Sequence, residues 1–238
     1  MAETTITTTA GDLHEFIADL IPFAEQDKMS LPILNCVHLR GHGEEMTAVA
    51  TDRYVVGMKR APIKAPDGFV ANVPLAAVKQ ILRTFKRTRA NDPELELTFD
   101  GEKVTVTMTG GFIGEALGAE MAWHTFGGTF PRIASIFRPF EAGDALEPAA
   151  GFALNPLLLA KFSHLAGPLT FHPTGVNAMC VVRSAAFFGA IMPVRFTEGG
   201  VPPTSRDVES IWKKATGEPS DEEKPVKKTR AKKVEAPA

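Results

Sequence analysis

One pattern recurs three times along the chain: a short strand, then an amphipathic helix, then a strand hairpin. The copies begin with "TTITTTAGDLHEFIADLIPFAEQ" (4–26), "GFVANVPLAAVKQILRTFKR" (68–87) and "GFALNPLLLAKFSHLAG" (151–167). In each, apolar residues follow the strand at helical spacing. Repeated units of this kind bury their apolar faces against their neighbours. The sequence therefore predicts an α+β fold with three strand–helix–strand repeats, antiparallel sheets and helices on one face.

Each predicted helix starts with residue types suited to that position. Asp12 is a plausible N-cap of the first helix, Pro74 suits the first turn of the second, and Asn155 with Pro156 opens the third. Apolar stripes follow at Leu13, Phe16, Ile17 and Leu20, at Leu75, Val78, Ile81, Leu82 and Phe85, and in the third helix through Leu165. The strands predicted after the helices are 33–40 and 46–58, then 95–99, 104–108 and 112–121, then 169–172, 176–183 and 187–196.

One long connector, residues 127–150, joins the second unit to the third and predicts a boundary there. We expect a complete two-unit domain at 1–138, a half domain at 139–200 and an extension at 201–238. The extension reads as one short helix followed by a charged, disordered tail.

Composition and charge restrict the cellular setting. No apolar stretch approaches the roughly 18 residues that cross a bilayer, and residues 1–5 do not resemble the start of a secretory signal. The two cysteines, Cys36 and Cys180, lie in apolar stretches and are expected to be buried, reduced thiols of a cytoplasmic protein. Residues 1–200 carry 17 Lys and Arg against 21 Asp and Glu, so any contact with nucleic acid requires a local concentration of positive charge.

Such a concentration is predicted on the second helix. Lys79, Arg83, Lys86 and Arg87, which we call the basic strip, are spaced to share the side opposite the apolar stripe. An ordinary solvated helix face is the alternative. The tail adds six cations, which either hold DNA or keep the chain soluble, at Lys224, Lys227, Lys228, Arg230, Lys232 and Lys233.

The sequence shows no arrangement of residues that predicts catalysis. His38 and His42 flank a predicted surface turn with Glu44, but no further residue completes a metal site at a recognisable spacing. A phosphate-binding glycine loop and a nucleophile elbow are also absent from the sequence. We therefore expect neither an enzyme nor a bound metal or cofactor.

Four short motifs, in order, resemble the bacterial DNA polymerase III beta sliding clamp family. Residues 50–57, "ATDRYVVG", match that family's "ATDG-(H/Y)-RLA", and residues 69–82, "FVANVPLAAVKQIL", resemble its proline-led second helix. Residues 127–137, "GGTFPRIASIF", resemble its "G-x-FPDYRRVIP" connector, and 184–196, "SAAFFGAIMPVRF", resemble its "AAYVVMPMRL". The resemblance covers about residues 5–196 and maps to the middle domain plus the last half of the third domain. A compact clamp of this kind would suit a phage or mobile element.

The resemblance implies a peptide-binding groove between the family's "ATDG" turn and its C-terminal strand. The matching residues here are Leu34, Thr51, Arg53, Tyr54, Val55, Val56, Ile191, Met192, Pro193, Val194 and Arg195. Met192 suits an adaptable apolar wall, and Thr51 and Arg195 suit polar anchors. Arg53 replaces a small family residue and Val55 a basic one, so the peptide preference is expected to differ.

Two functions follow as expectations. The first is a replication processivity factor that forms a homo-oligomer around duplex DNA, contacts it weakly and without sequence preference, and binds peptide motifs of polymerase and clamp loader. Rings of this family contain twelve such units, which implies four chains here, with the half domains of two chains pairing. The alternative is a clamp-derived peptide-binding module that does not encircle DNA and competes for host replication proteins.

Overall fold

The computed structural model describes residues 3–27, 31–110, 119–134, 136–137, 153–174 and 178–194. The first unit contains β1 (Thr4–Thr9), α1 (Ala10–Ile17), β2 (Cys36–His42), β3 (Glu45–Thr51) and β4 (Val55–Ala61). The second contains β5 (Val70–Pro74), α2 (Leu75–Thr84), β6 (Glu94–Phe99), β7 (Lys103–Gly110) and β8 (Glu120–His124). The third contains β9 (Ala153–Leu154), α3 (Pro156–Leu159), β10 (Thr170–Pro173), β11 (Cys180–Ser184), β12 (Phe187–Ile191) and β13 (Pro193–Val194). Short 3₁₀ helices lie at Ala18–Phe23, Pro32–Leu34 and Ala160–Phe162.

The first two units exchange their first strands. β1 of the first unit pairs with β6 of the second, and β5 of the second pairs with β2 of the first, both antiparallel. Two sheets result, ordered β1-β6-β7-β8 and β5-β2-β3-β4, the second of which continues further. The predicted α+β class with antiparallel sheets is confirmed.

Both long helices lie over the inward faces of these sheets. The predicted apolar stripes are buried, including Phe16 of α1 and Ile81 of α2, and they share one core with residues of both sheets. The two helices also contact each other. Since unit 1 supplies strands to both sheets and so does unit 2, neither has a complete sheet without its partner. Within the described residues, no helix has the length and apolar character needed to cross a lipid bilayer.

The third unit extends the sheet of the first. β12 pairs antiparallel with β4, which gives a seven-stranded sheet ordered β10-β11-β12-β4-β3-β2-β5. At the centre of this pairing Gly189 lies opposite Gly57. A Cβ at Gly189 would lie 2.5 Å from the Val56 carbonyl oxygen, and a Cβ at Gly57 would lie 2.8 Å from the Phe23 ring. The strands approach this closely because neither residue has a side chain.

Gly189→Ala is therefore expected to lower the free energy of unfolding by about 1–3 kcal/mol, because the new methyl group overpacks a backbone contact that has no flexible end. Urea denaturation would measure the loss. Gly127→Ala is the matched control, since a Cβ there meets no atom within 4 Å. Equal stability of the two variants would show that the β4–β12 contact does not restrict residue 189.

The described part of the connector, residues 127–134 and 136–137, packs on the opposite face of the seven-stranded sheet. Phe130 stacks on the His38 ring with centroids 4.5 Å apart, and Phe137 contacts Phe188 at 4.8 Å. His38 departs from the predicted surface turn: it lies in β2, half-buried, with Nδ1 2.8 Å from Asn72 Oδ1, and burial lowers its pKa.

Both cysteines are buried and free, as expected. Burial raises the pKa of the Cys36 thiol to about 12 and that of Cys180 to about 11. Both thiols therefore stay protonated at neutral pH and react poorly in the folded chain.

Several predicted boundaries were wrong. The N-cap of α1 is Thr9, whose Oγ1 accepts a hydrogen bond from the Asp12 N–H, so Asp12 lies inside the helix. Pro74 is the N-cap of α2, which ends at Thr84. The predicted strand 46–58 is two strands with a turn between them. The third helix ends far short of Leu165, although its predicted N-cap, Asn155, is confirmed by a 2.9 Å bond from the Leu157 N–H.

Candidate functional site

The turn between β3 and β4 is fixed by two side chains. Asp52 is buried, and its Oδ1 accepts hydrogen bonds from the N–H groups of Tyr54 and Val55, both at 2.9 Å. The Thr51 hydroxyl donates to the Val55 carbonyl at 2.7 Å and accepts from the Arg53 N–H at 3.2 Å. The bonds satisfy the polar groups of a tight turn, and they leave Thr51 buried rather than available as an anchor for a peptide.

Arg53 has a backbone conformation that normally favours glycine. Its φ is +83°, and it is the only non-glycine residue with positive φ in the described part of the chain. A side chain in this region costs about 1–2 kcal/mol. The resembled family has glycine at this position, so the turn keeps that geometry although the residue has changed. The Arg53 guanidinium lies 5.8 Å from the centroid of the Tyr54 ring.

The turn and the C-terminal strand lie together. The Met192 N–H donates to the Tyr54 carbonyl at 2.8 Å, and Ile191 pairs with Val55 in the β12–β4 ladder. After Met192 the chain forms β13, which pairs with β9 rather than with β4. Pro193 therefore marks the point where the last strand leaves the large sheet.

Exposure divides the eleven predicted groove residues. Six are buried and lie beneath the exposed surface of the site: Leu34, Thr51, Val55, Val56, Ile191 and Pro193. Tyr54 is 50% exposed and Val194 is 43% exposed, Arg53 is exposed, and Met192 is half-buried. Arg195 lies outside the described residues. The residues of the predicted groove that are not buried are thus Arg53 and Tyr54 on the turn, and Met192 and Val194 at the C-terminal strand. We call these four residues the junction surface.

The sequence did not point to Lys161, which joins the third unit to this turn. Its Nζ lies 2.5 Å from Asp52 Oδ2, and both side chains are largely buried. Beside it, Phe162 of the third unit contacts Phe23 of the first at 4.8 Å, edge to face. The one sequence feature that could have indicated a partner is the aspartate of the "ATD" motif, because the second carboxylate oxygen of a buried aspartate needs a hydrogen-bond partner.

The basic strip is exposed but does not lie on one helix face. Lys79 and Arg83 project from α2, whereas Lys86 and Arg87 follow its end. Lys79 Nζ donates to Gln26 Oε1 at 3.0 Å, and Arg87 Nε lies 3.7 Å from Asp92 Oδ2. The side chains of Arg83 and Lys86 form no hydrogen bond or ion pair with any described residue. The predicted helix face is therefore corrected to two helix residues and two loop residues.

The first helix brings carboxylates close to this strip. Lys86 and Arg87 line one cleft together with Gly11, His14 and Glu15 of α1. Glu15 lowers the positive potential of the cleft, so any contact with phosphate here is weak.

Comparison with solved structures identifies the fold. The chain aligns with a DNA polymerase III beta subunit from Thermotoga maritima with a TM-score of 0.64 and 13% identity, covering 82% of this chain and 66% of that one. A DNA polymerase sliding clamp from Bacillus subtilis aligns with a TM-score of 0.64 and 12% identity, and the alignment covers 81% of this chain and 64% of that one. A Pseudomonas aeruginosa sliding clamp bound to griselimycin aligns with a TM-score of 0.64 and 14% identity, and the alignment covers 81% of this chain and 65% of that one.

The chain thus spans slightly less than two thirds of the length of these proteins. At these identities the similarity is one of fold. No family model and no curated protein sequence matches the chain.

Proposed function

We propose that this chain, which has the fold of DNA polymerase sliding clamps, is a replication processivity factor that assembles around duplex DNA and binds partner peptides at the junction surface. One observation carries the proposal: 82% of the chain aligns with the fold of a DNA polymerase III beta subunit. The hydrogen bond between the Met192 N–H and the Tyr54 carbonyl, which joins the turn to the C-terminal strand, supports the site. Such a protein acts by holding other proteins on DNA, not by catalysis.

The junction surface suits a short peptide with an apolar anchor. Tyr54 and Val194 are among the large apolar side chains that remain exposed. Met192 is joined to Tyr54 by the hydrogen bond from its N–H to the Tyr54 carbonyl. An aromatic ring and a methionine supply adaptable contact area. Arg53, held over the Tyr54 ring, adds a cation at one end, which favours a peptide with a carboxylate or an aromatic ring there.

The basic strip supports weak contact with DNA that is independent of sequence. Its two unpaired cations, Arg83 and Lys86, are available to phosphate oxygens, whereas Arg87 must first leave Asp92. Phosphate contacts of this kind position a duplex without reading its bases. A protein that slides needs contacts that are weak and equal along the duplex.

The unit count supports four chains. Three units per chain and the twelve units expected in a ring require a tetramer, in which each half domain is completed by another copy. The alternative function, a peptide-binding module that does not encircle DNA, is favoured by one observation: the carboxylate of Glu15 in the cleft that Lys86 and Arg87 line. Both functions use the junction surface.

Isothermal titration calorimetry tests peptide binding. A short peptide carrying the clamp-binding motif of a polymerase from the same replication system is expected to bind with micromolar affinity. The double change Tyr54→Ala and Met192→Ala is expected to weaken binding by about 30-fold, since two interface anchors contribute more than about 1 kcal/mol each. The turn should persist, because it uses only the backbone N–H and C=O of Tyr54.

Val70→Ala is the matched control for this titration, because Val70 is a comparably exposed apolar side chain on β5, outside the junction surface. It should leave the affinity unchanged. Absence of heat with several such peptides, or an equal loss in the control, would reject the junction surface as the binding site.

A further inference from the structure

The complete domain shows how two units combine. The two exchanged strand pairs have the same register. In each pair, the residue that precedes the helix of one unit lies opposite a residue of the other unit, and that residue is the first of the strand that follows its own helix. Thr9, before α1, pairs with Glu94, the first residue of β6. Pro74, before α2, pairs with Cys36, the first residue of β2. The same register therefore appears twice, once in each direction.

The third unit has both of the corresponding strands, β9 before its helix and β10 after it, but no partner unit within the described residues. Its first strand, β9, pairs only with β13, and β10 pairs only with β11. Among the residues that the structure describes, one edge of β9 and one edge of β10 therefore have no paired strand. In the first two units the corresponding strands form the exchanged pairs.

The third helix likewise lacks the cover that the other two have. α1 and α2 each bury four or more residues and contact one another, whereas α3 buries none. Leu157 is 78% exposed and Leu159 is 37% exposed. Leu159 is the fourth residue of α3, the position at which α1 and α2 bury Leu13 and Val78, so a neighbouring unit is expected to cover it.

The open edge also lacks the charges that usually protect such edges. β10 has the sequence Thr-Phe-His-Pro and β9 is Ala-Leu, so neither contains Asp, Glu, Lys or Arg. Monomeric proteins commonly place lysine or other charges on exposed edges to prevent pairing. β8, the open edge of the other sheet, begins with Glu120. The uncharged edge of β10 accepts another strand at no cost in charge repulsion.

We infer that two copies of this chain combine their third units into one complete domain, related by a true twofold axis. β9 of each copy pairs antiparallel with β10 of the other, and the two α3 helices contact each other through Leu159. The register of the complete domain places Asn155 opposite Thr170 of the other copy, Leu154 opposite Phe171, and Ala153 opposite His172. An isologous contact of this kind closes on itself and yields a dimer.

This interface supplies one of the contacts that the proposed ring requires, and in that respect it rests on the proposed function. The interface between the two third units differs from the proposed function in that it forms without DNA and without a bound peptide. Another occupant of the β10 edge, β8 of a second copy, is an outcome of the test.

Site-specific disulfide formation tests the pairing and its register. Chains carrying Ala153→Cys and chains carrying His172→Cys are mixed and oxidised mildly. Residues opposite each other in an antiparallel pair have Cα atoms about 4.5–5.5 Å apart, which fits a disulfide. The native thiols do not interfere, since Cys36 and Cys180 are both buried. A cross-linked dimer is expected in the mixture and not with either variant alone.

Two further mixtures complete the design. His172→Cys mixed with Ala122→Cys, at the centre of β8, should give no cross-link; a product there would show that β8 covers the edge and would overturn the inference. Failure of the first mixture, with folding verified by circular dichroism, would also overturn it. Peptide titration of the His172→Cys variant separates this outcome from failure of the proposed function, because His172 lies on β10, which pairs with no strand of the junction surface.

Discussion

Replacing all four cations of the basic strip with alanine is expected to remove most of the salt dependence of binding to duplex DNA. Each neutralised phosphate contributes about −0.9 to the slope of log K against log salt. Four contacts therefore lower the affinity of the unmodified chain by about 150-fold between 50 and 200 mM salt. Fluorescence anisotropy with a labelled duplex across this range would measure both slopes.

The structure assigns unequal shares to the four residues. Arg83 and Lys86 have no described partner, whereas Lys79 and Arg87 contact Gln26 and Asp92. The double change Arg83→Ala and Lys86→Ala should therefore account for most of the loss. Its matched control is Arg60→Ala with Lys64→Ala, which removes two exposed cations that are paired with Glu45 and Glu44.

The C-terminal extension is the competing source of positive charge, so a chain ending at residue 216 is compared in the same assay. If truncation abolishes binding while the substitutions in the basic strip change neither affinity nor slope, the strip is a solvated surface. DNA would then not pass along this face, and the peptide-binding module would be the better account.

Leu159→Glu is expected to abolish self-association through the third unit. The side chain is 37% exposed in the single chain, so the change should leave its fold and stability nearly unaltered. In the inferred dimer the same substitution places two carboxylates, one from each copy, within an apolar contact without a partner. Several kcal/mol of desolvation then oppose assembly, and the dissociation constant should rise by at least about 100-fold.

Sedimentation velocity over a range of concentrations would show the shift from assembled to single chains. Leu31→Glu is the matched control, because Leu31 is 52% exposed but lies in the first unit. Assembly that survives Leu159→Glu, or that is lost equally in both variants, would place the contact elsewhere.

Local features of the fold could be predicted from the sequence. The apolar stripes identified both buried helix faces, and Asn155 with Pro156 identified the start of α3. These predictions succeeded because they depend on a few neighbouring residues. The positions where helices end depend on packing further away, which is why α2 stops before Phe85 although Phe85 is buried as predicted.

Contacts between units could not be predicted in the same way. Nothing in the sequence around Gly57 and Gly189 indicates that they lie opposite each other, although both are needed for β4 and β12 to approach. The junction surface was placed by the resemblance of two motifs, and the structure brings these together through Tyr54 and Met192. The burial of Thr51 and the contact of Lys161 with Asp52 depend on the folded turn, which the linear motif does not reveal.

Native mass spectrometry of the full chain at tens of micromolar tests the central claim most directly. A ring of twelve units requires four chains of 25.6 kDa each. We expect a tetramer, with a dimer as the species on the way to it, because the third units pair first and the complete domains close the ring. A stable monomer throughout this concentration range would contradict a ring around DNA.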